Sequence, residues 1–136
     1  RDNHHFINNM SLVYHVVIDG EWIFDFGGDL QEEGATLMME ALSDDELECD
    51  VFKIRWHGDL GAIFKKLAEV LKCKVAFSNY HGPRSSGGRN STYKVFEDAG
   101  ALVVENYAHG EIYMDVRGKE MTVSGSKCGL IEIFKK

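Results

Sequence analysis

The sequence predicts a single α+β domain, with a largely antiparallel, curved sheet packed on one or two helices. The sheet is expected to combine an N-terminal hairpin, a strand–helix–strand unit and a C-terminal meander. Three observations predict this. The 136 residues are 44% apolar and 27% charged, the size and balance of one globular domain with its own core. Alternation of period two recurs in short runs bounded by glycine turns. Two segments carry apolar residues at helical spacing instead. The expected organisation is a flexible tail or processed remnant over residues 1–9 and one α+β domain over 10–136, starting at Met10.

Residues 12–19, LVYHVVID, are β-branched and aromatic and run into Asp19-Gly20, a strong hairpin signal. EWIFDF follows, with Trp22, Phe24 and Phe26 on one side, and Gly27-Gly28 ends the hairpin. Asp29 offers a helix N-cap with Glu32 three residues on, and Leu37, Met38, Ala41 and Leu42 predict a helix over about 35–43. SDDELE, residues 43–48, repeats the start signal and predicts one more turn. VFKIRWH, residues 51–57, alternates so that Phe52, Ile54 and Trp56 point to a core and Lys53, Arg55 and His57 point away.

Gly58-Asp59 then opens a helix over 60–73 with an apolar stripe that includes Phe64 and Leu67, and KVAFSNY leaves it as a strand. Trp56, Phe64 and Leu67 are the expected core residues of this unit. Beyond residue 90, TYKVFE, ALVVENY, EIYMDV, EMTVSG and LIEIF, separated by short glycine-bearing turns, predict an antiparallel meander.

The totals exclude several classes. No apolar run has the length of a membrane span. The N-terminus lacks the basic-then-apolar build of a secretory leader, and a cytoplasmic location is the expectation. Cys49, Cys73 and Cys128 fit no zinc or CxxC spacing and read as buried or half-buried thiols of a reducing compartment. The run Asp44, Asp45, Glu46, Glu48, Asp50 lacks the glycine an EF-hand needs, and the histidines are scattered. No metal or cofactor is called for.

Charge is divided unevenly. Residues 1–50 hold 13 Asp or Glu and one Arg, a net of −12, whereas residues 51–136 hold 9 acids against 14 Lys or Arg, a net of +5. The first functional reading follows from this split. It is a small, non-enzymatic acidic protein that inhibits or regulates a basic or nucleic-acid-handling protein partner. Asp25, Asp29, Glu32, Glu33, Glu40, Asp44 and Asp45 are its candidate partner-binding residues. The basic remainder also allows a homodimer in which one chain's acidic face meets the other's basic loop.

The alternative reading starts from NYHGPRSSGGRNSTY, residues 79–93, which packs four Ser or Thr hydroxyls, three glycines, His81, Arg84 and Arg89 into fifteen positions. Glycines turn backbone N–H groups toward an anion, arginines fork onto phosphate oxygens, and hydroxyls donate. The stretch is not a P-loop or a dinucleotide fingerprint, and it is expected to run into a strand with no helix N-terminus facing it. The alternative is therefore a nucleic-acid-binding domain or a metal-independent nuclease using the His81–Thr92 loop and the Lys53/Arg55/His57 strand face. Lys53, Arg55, Arg84, Ser85, Ser86 and Arg89 would hold phosphate, and Tyr80, Tyr93, Tyr107 and Tyr113 would stack bases. His57 and His81 would be the proton-transfer pair, on the condition that their strands are parallel neighbours.

Overall fold

Asp19 and Gly20 both take the positive φ that a tight hairpin turn demands, 53° and 69°. They join β1 (Tyr14–Ile18) to β2 (Trp22–Phe26) in an antiparallel pair. The computed structural model describes residues 7–58, 63–85 and 88–136, without the side chains of residues 63 and 64. From β2 the chain adds β3 (Val51–Lys53), β4 (Val75–Ser78) and β5 (Leu102–Glu105), each parallel to the last. The five-stranded sheet thus has the order β1-β2-β3-β4-β5.

Parallel neighbours require crossovers, and helices supply them. α1 (Glu32–Ala41) and α2 (Asp44–Leu47) link β2 to β3, α3 (Ile63–Leu71) links β3 to β4, and α4 (Arg89–Asp98) links β4 to β5. Leu67, Ala68 and Leu71 of α3 and Tyr93 and Phe96 of α4 close over Phe52, Ile54 and Ala76 of the sheet region. The opposite face carries Trp22, Phe24, Val51, Val75 and Val104, and it is covered by Met121 and Val123. Those two belong to β7 (Glu120–Gly125), the middle of a separate antiparallel sheet with β6 (Ile112–Arg117) and β8 (Gly129–Lys135). A short helix, α5 (Asn106–His109), joins the two sheets.

The α+β class, the hairpin, the strand–helix–strand unit and the terminal meander are present as the sequence predicts. The arrangement differs in two ways. There are two sheets, and three of the four pairings in the larger one are parallel, so ALVVENY, expected in the antiparallel meander, supplies its parallel edge strand β5 and the meander keeps three strands. TYKVFE is helix and not strand: Arg89, Thr92, Tyr93 and Phe96 are the buried residues of α4, at helical spacing. Among the expected core residues, Leu67 is buried and Trp56 is half-buried, while the side chain of Phe64 lies outside the described residues. Asn9, which the sequence assigns to the tail, accepts hydrogen bonds from the Gln31 and Gly34 N–H groups and caps α1.

The far ends of the chain are tied through Asp50. Its buried carboxylate accepts from the Ile23 N–H at 2.9 Å, Lys74 at 3.0 Å and Lys136 at 2.6 Å. Burial opposes ionisation of this carboxyl, but the bonds from Lys136, Ile23 and Lys74 together outweigh it and hold its pKa below the ordinary value. A depressed folded pKa contributes stability above the unfolded value of about 3.9, and that stability is lost as pH falls through the folded value. Asp50→Asn should therefore cost about 2 kcal/mol at neutral pH and less in acid. Denaturant melts at pH 7 and pH 2.5 check this, and an equal loss at both would contradict it.

Candidate functional site at the carboxyl edge of the parallel strands

Four parallel strands point their carboxyl ends to one edge, where sheets of this kind hold ligands. β2 leads there into Gly27-Gly28-Asp29, β3 into Arg55–Gly58, β4 into Asn79-Tyr80-His81, and β5 into Glu105 and α5. The structure thus meets the condition set for His57 and His81, since β3 and β4 are parallel neighbours.

The base of the edge is an ion pair. Arg55 is 0% exposed, and its Nη2 donates to Oδ1 of Asp25, itself 1% exposed, at 3.2 Å. His15 Nε2 lies 3.0 Å from Oδ2 of the same carboxylate. The guanidinium sits 5.3 Å over the Phe52 ring, and Nη2 also approaches Met38 Sδ at 3.4 Å. Gly27 makes room for it, because a Cβ there would stand 2.2 Å from Arg55 Nε. The expected exposed face of Lys53, Arg55 and His57 therefore does not form. The strand ends at Lys53, and Arg55 turns inward under α1. Lys53 is also buried, donating to the Gly28 carbonyl at 2.7 Å beside Asp29 at 3.5 Å. Burial lowers its pKa, and Asp29 partly offsets this.

Past Arg55 the backbone is strained. Trp56 (φ 43°), His57 (φ 53°) and Gly58 (φ 86°) are three left-handed residues in a row, and only the last is a glycine. Glycine is required at 58 for a second reason: a Cβ would meet Tyr93 Cε1 at 2.8 Å. The turn leaves the His57 side chain 35% exposed, with Nδ1 at 2.9 Å from Asn79 Oδ1 and Nε2 at 3.7 Å from Asp29 Oδ1. Asn79 Oδ1 accepts from Nδ1–H, so the neutral ring presents Nε2 as its basic nitrogen.

The Tyr80 ring adjoins both histidines, 6.4 Å from the ring of His57 and 4.8 Å from that of His81. The Arg89 guanidinium lies 3.5 Å from the centre of the Tyr80 ring, and a Cβ at Gly82 would come within 2.5 Å of its Cε1. Tyr80 is thus clamped from two sides. Below it, the Tyr93 hydroxyl donates to Ser78 Oγ at 2.8 Å, and burial pushes the phenol's pKa up. Arg84 pairs with Glu97 at 2.7 Å and lies 5.2 Å over Tyr93. Burial also pushes the Glu105 carboxyl up, against the pull of Arg84 and His109.

The remaining candidates are dispersed. Arg84 and Arg89 brace the loop instead of standing free for phosphate, Ser85 is exposed, and Ser86 lies outside the described residues. The loop leads into the first turn of α4, not into a strand. The tyrosines do not form a stacking platform: Tyr93 is buried, Tyr107 lies by Lys127, and Tyr113 bonds Glu111 on the second sheet. Of the acidic candidates, Asp25 is buried on Arg55 and Asp29 faces Lys53 and His57. Glu32, Glu33, Glu40, Asp44 and Asp45 remain exposed on α1 and α2.

Among the described residues no three His, Cys, Asp or Glu side chains are grouped to hold a metal. Burial pushes the Cys49 and Cys73 thiols up, the latter to about 12, which suppresses the thiolate, and Cys128 is exposed rather than buried. Sequence reasoning named Tyr80 only as a base-stacking ring and missed Asn79 as the hydrogen-bond partner of His57, whose only signal is its place at a strand end. No family model, curated protein or solved structure matches the chain.

The Arg55–Asp25 pair should behave as a buried pair does when it is broken from one side. Asp25→Leu or Arg55→Met alone should cost about 3–5 kcal/mol, and the double variant markedly less than either loss added to the other. Additive losses in a double-mutant cycle would show that the two groups do not act as a pair.

Proposed function

We propose that the protein binds the phosphodiester backbone of single-stranded nucleic acid at the carboxyl edge of its parallel strands. The observation that carries the reading is that His57 and His81 both adjoin the clamped Tyr80 ring at this edge. Two imidazoles held at one edge, each able to donate a charge-assisted hydrogen bond when protonated, suit a phosphate oxygen. The neighbouring carboxylates do not oppose this strongly, because Asp29 is matched by Lys53 and Glu97 by Arg84. The strained turn that carries His57 supports a functional role, since such strain persists where the surrounding structure imposes it.

The same pair suits proton transfer on RNA. Nε2 of His57 would take the 2′-hydroxyl proton as the 2′-oxygen attacks phosphorus. Protonated His81 would give a proton to the departing 5′-oxygen, leaving a 2′,3′-cyclic phosphate and a 5′-hydroxyl.

The test uses labelled single-stranded RNA and DNA at low and near-physiological salt, following anisotropy and strand cleavage together. Position 57 is changed to asparagine, which tolerates a left-handed backbone, and position 81 to alanine. Wild-type binding should weaken as salt rises through counterion release. His57→Asn and His81→Ala should each weaken it about tenfold, the loss of one charge-assisted bond. Absence of binding at low salt, or both variants binding as wild type, overturns the proposal. Binding without cleavage of RNA would remove only the proton-transfer roles.

A further inference from the structure

A second candidate surface lies along the outer strand β1. β1 is the outer strand of the larger sheet, and all but the last of its five residues are exposed. Tyr14, Val16 and Val17 are 56%, 43% and 57% exposed, and no lysine or proline guards the strand. An edge of this kind offers a row of backbone donors and acceptors to a further strand. Between β1 and the helices α1 and α2 lies a groove of about 500 Å³. Val13, Ile23, Met38 and Leu42 line it together with His15, whose ring bonds Asp25, and Asp45, Glu46 and Glu48 complete the lining.

The registers connect the two features. Residues 15 and 17 of β1 pair with Asp25 and Ile23, so they share the sheet face on which the groove lies. A strand added to β1 at the usual spacing would place alternate side chains over that groove.

Charge decides the occupant. Glu48 is paired with Lys72, but among the described residues no cation forms an ion pair with Asp44, Asp45 or Glu46, and between Asp19 and Asp50 the chain has no Lys or Arg at all. A second copy of the chain would bring its own acidic rim to the same edge, and like charges would meet. We infer that the β1 edge and its groove receive an extended basic segment of a partner protein, which pairs with β1, sets apolar side chains in the groove and turns Lys or Arg toward Asp45 and Glu46. This site would recruit a basic partner without involving His57 or His81.

The probes are three fluorescein-labelled nine-residue peptides: alternating lysine and valine, alternating glutamate and valine, and alternating lysine and serine. The full chain should bind the lysine–valine peptide, the glutamate–valine peptide not at all, and the lysine–serine peptide at least about tenfold more weakly. Asp45→Lys and Leu42→Ser, both at exposed positions, should each weaken binding of the lysine–valine peptide several-fold, while His57→Asn leaves it unchanged. Hydrogen exchange at the β1 amides should slow when that peptide is bound. Three results would overturn the inference: no binding, equal binding of the two lysine peptides, or binding without protection of β1. A stable dimer of the protein alone, protected at the same amides, would assign the edge to a second copy and overturn it as well.

Discussion

Arg55 reaches back from beyond the end of β3 to Asp25 of β2, where both side chains are buried from bulk solvent. Much of the molecule is arranged around that pair. Gly27 is small because the guanidinium lies against it, Met38 and Phe52 line the same space, and His15 supports the carboxylate from the edge strand. A buried charge left without its partner is costly, so the register of β2 against β3 and the approach of α1 are fixed together. With Arg55 held inward, the next residues cannot continue as strand, and the chain turns through three left-handed positions. His57 emerges from that turn beside Asn79 and Asp29. The structural pair thus sets the position of the candidate functional imidazole.

Folding also reorganises the uneven charge of the sequence. Part of the N-terminal acidity is consumed inside the molecule, with Asp25 on Arg55, Asp29 on Lys53, and Asp50 on Lys74 and Lys136. What stays exposed is concentrated on α1 and α2. The two readings that the sequence sets against each other therefore draw on different residues.

The features legible in the sequence are those written in local patterns. Asp19-Gly20 marks the hairpin, Ser43 with Glu46 marks the start of α2, and alternation along residues 112–117 marks β6, where exposed Tyr113, Asp115 and Arg117 interleave with covered neighbours. Strand direction was not legible, because β-propensity is the same in parallel and antiparallel pairs. The spacing of Arg89, Thr92, Tyr93 and Phe96 did carry the helical signal of α4, but two of those residues are polar and mask the stripe. Arg55 was misread for a related reason. Alternation places a charged residue outside unless its counter-ion is known, and Asp25 lies thirty positions earlier. The left-handed turn at Trp56 and His57 has no clear sequence signature, since Trp56 disfavours it and the enrichment of histidine in that region is too small to mark a turn. The placement of His57 and His81 after neighbouring parallel strands was legible only conditionally, and the pairing of β3 with β4 supplies the condition.

The central claim is that His57 and His81 face one shared anion. It is tested most directly by following the imidazole Cε1–H signals of the four described histidines by NMR while inorganic phosphate is added at pH 6. The account predicts that His57 and His81 shift together along one binding curve, with His15 and His109 as unmoved references. Separate curves for His57 and His81, or no shift at either, would contradict it.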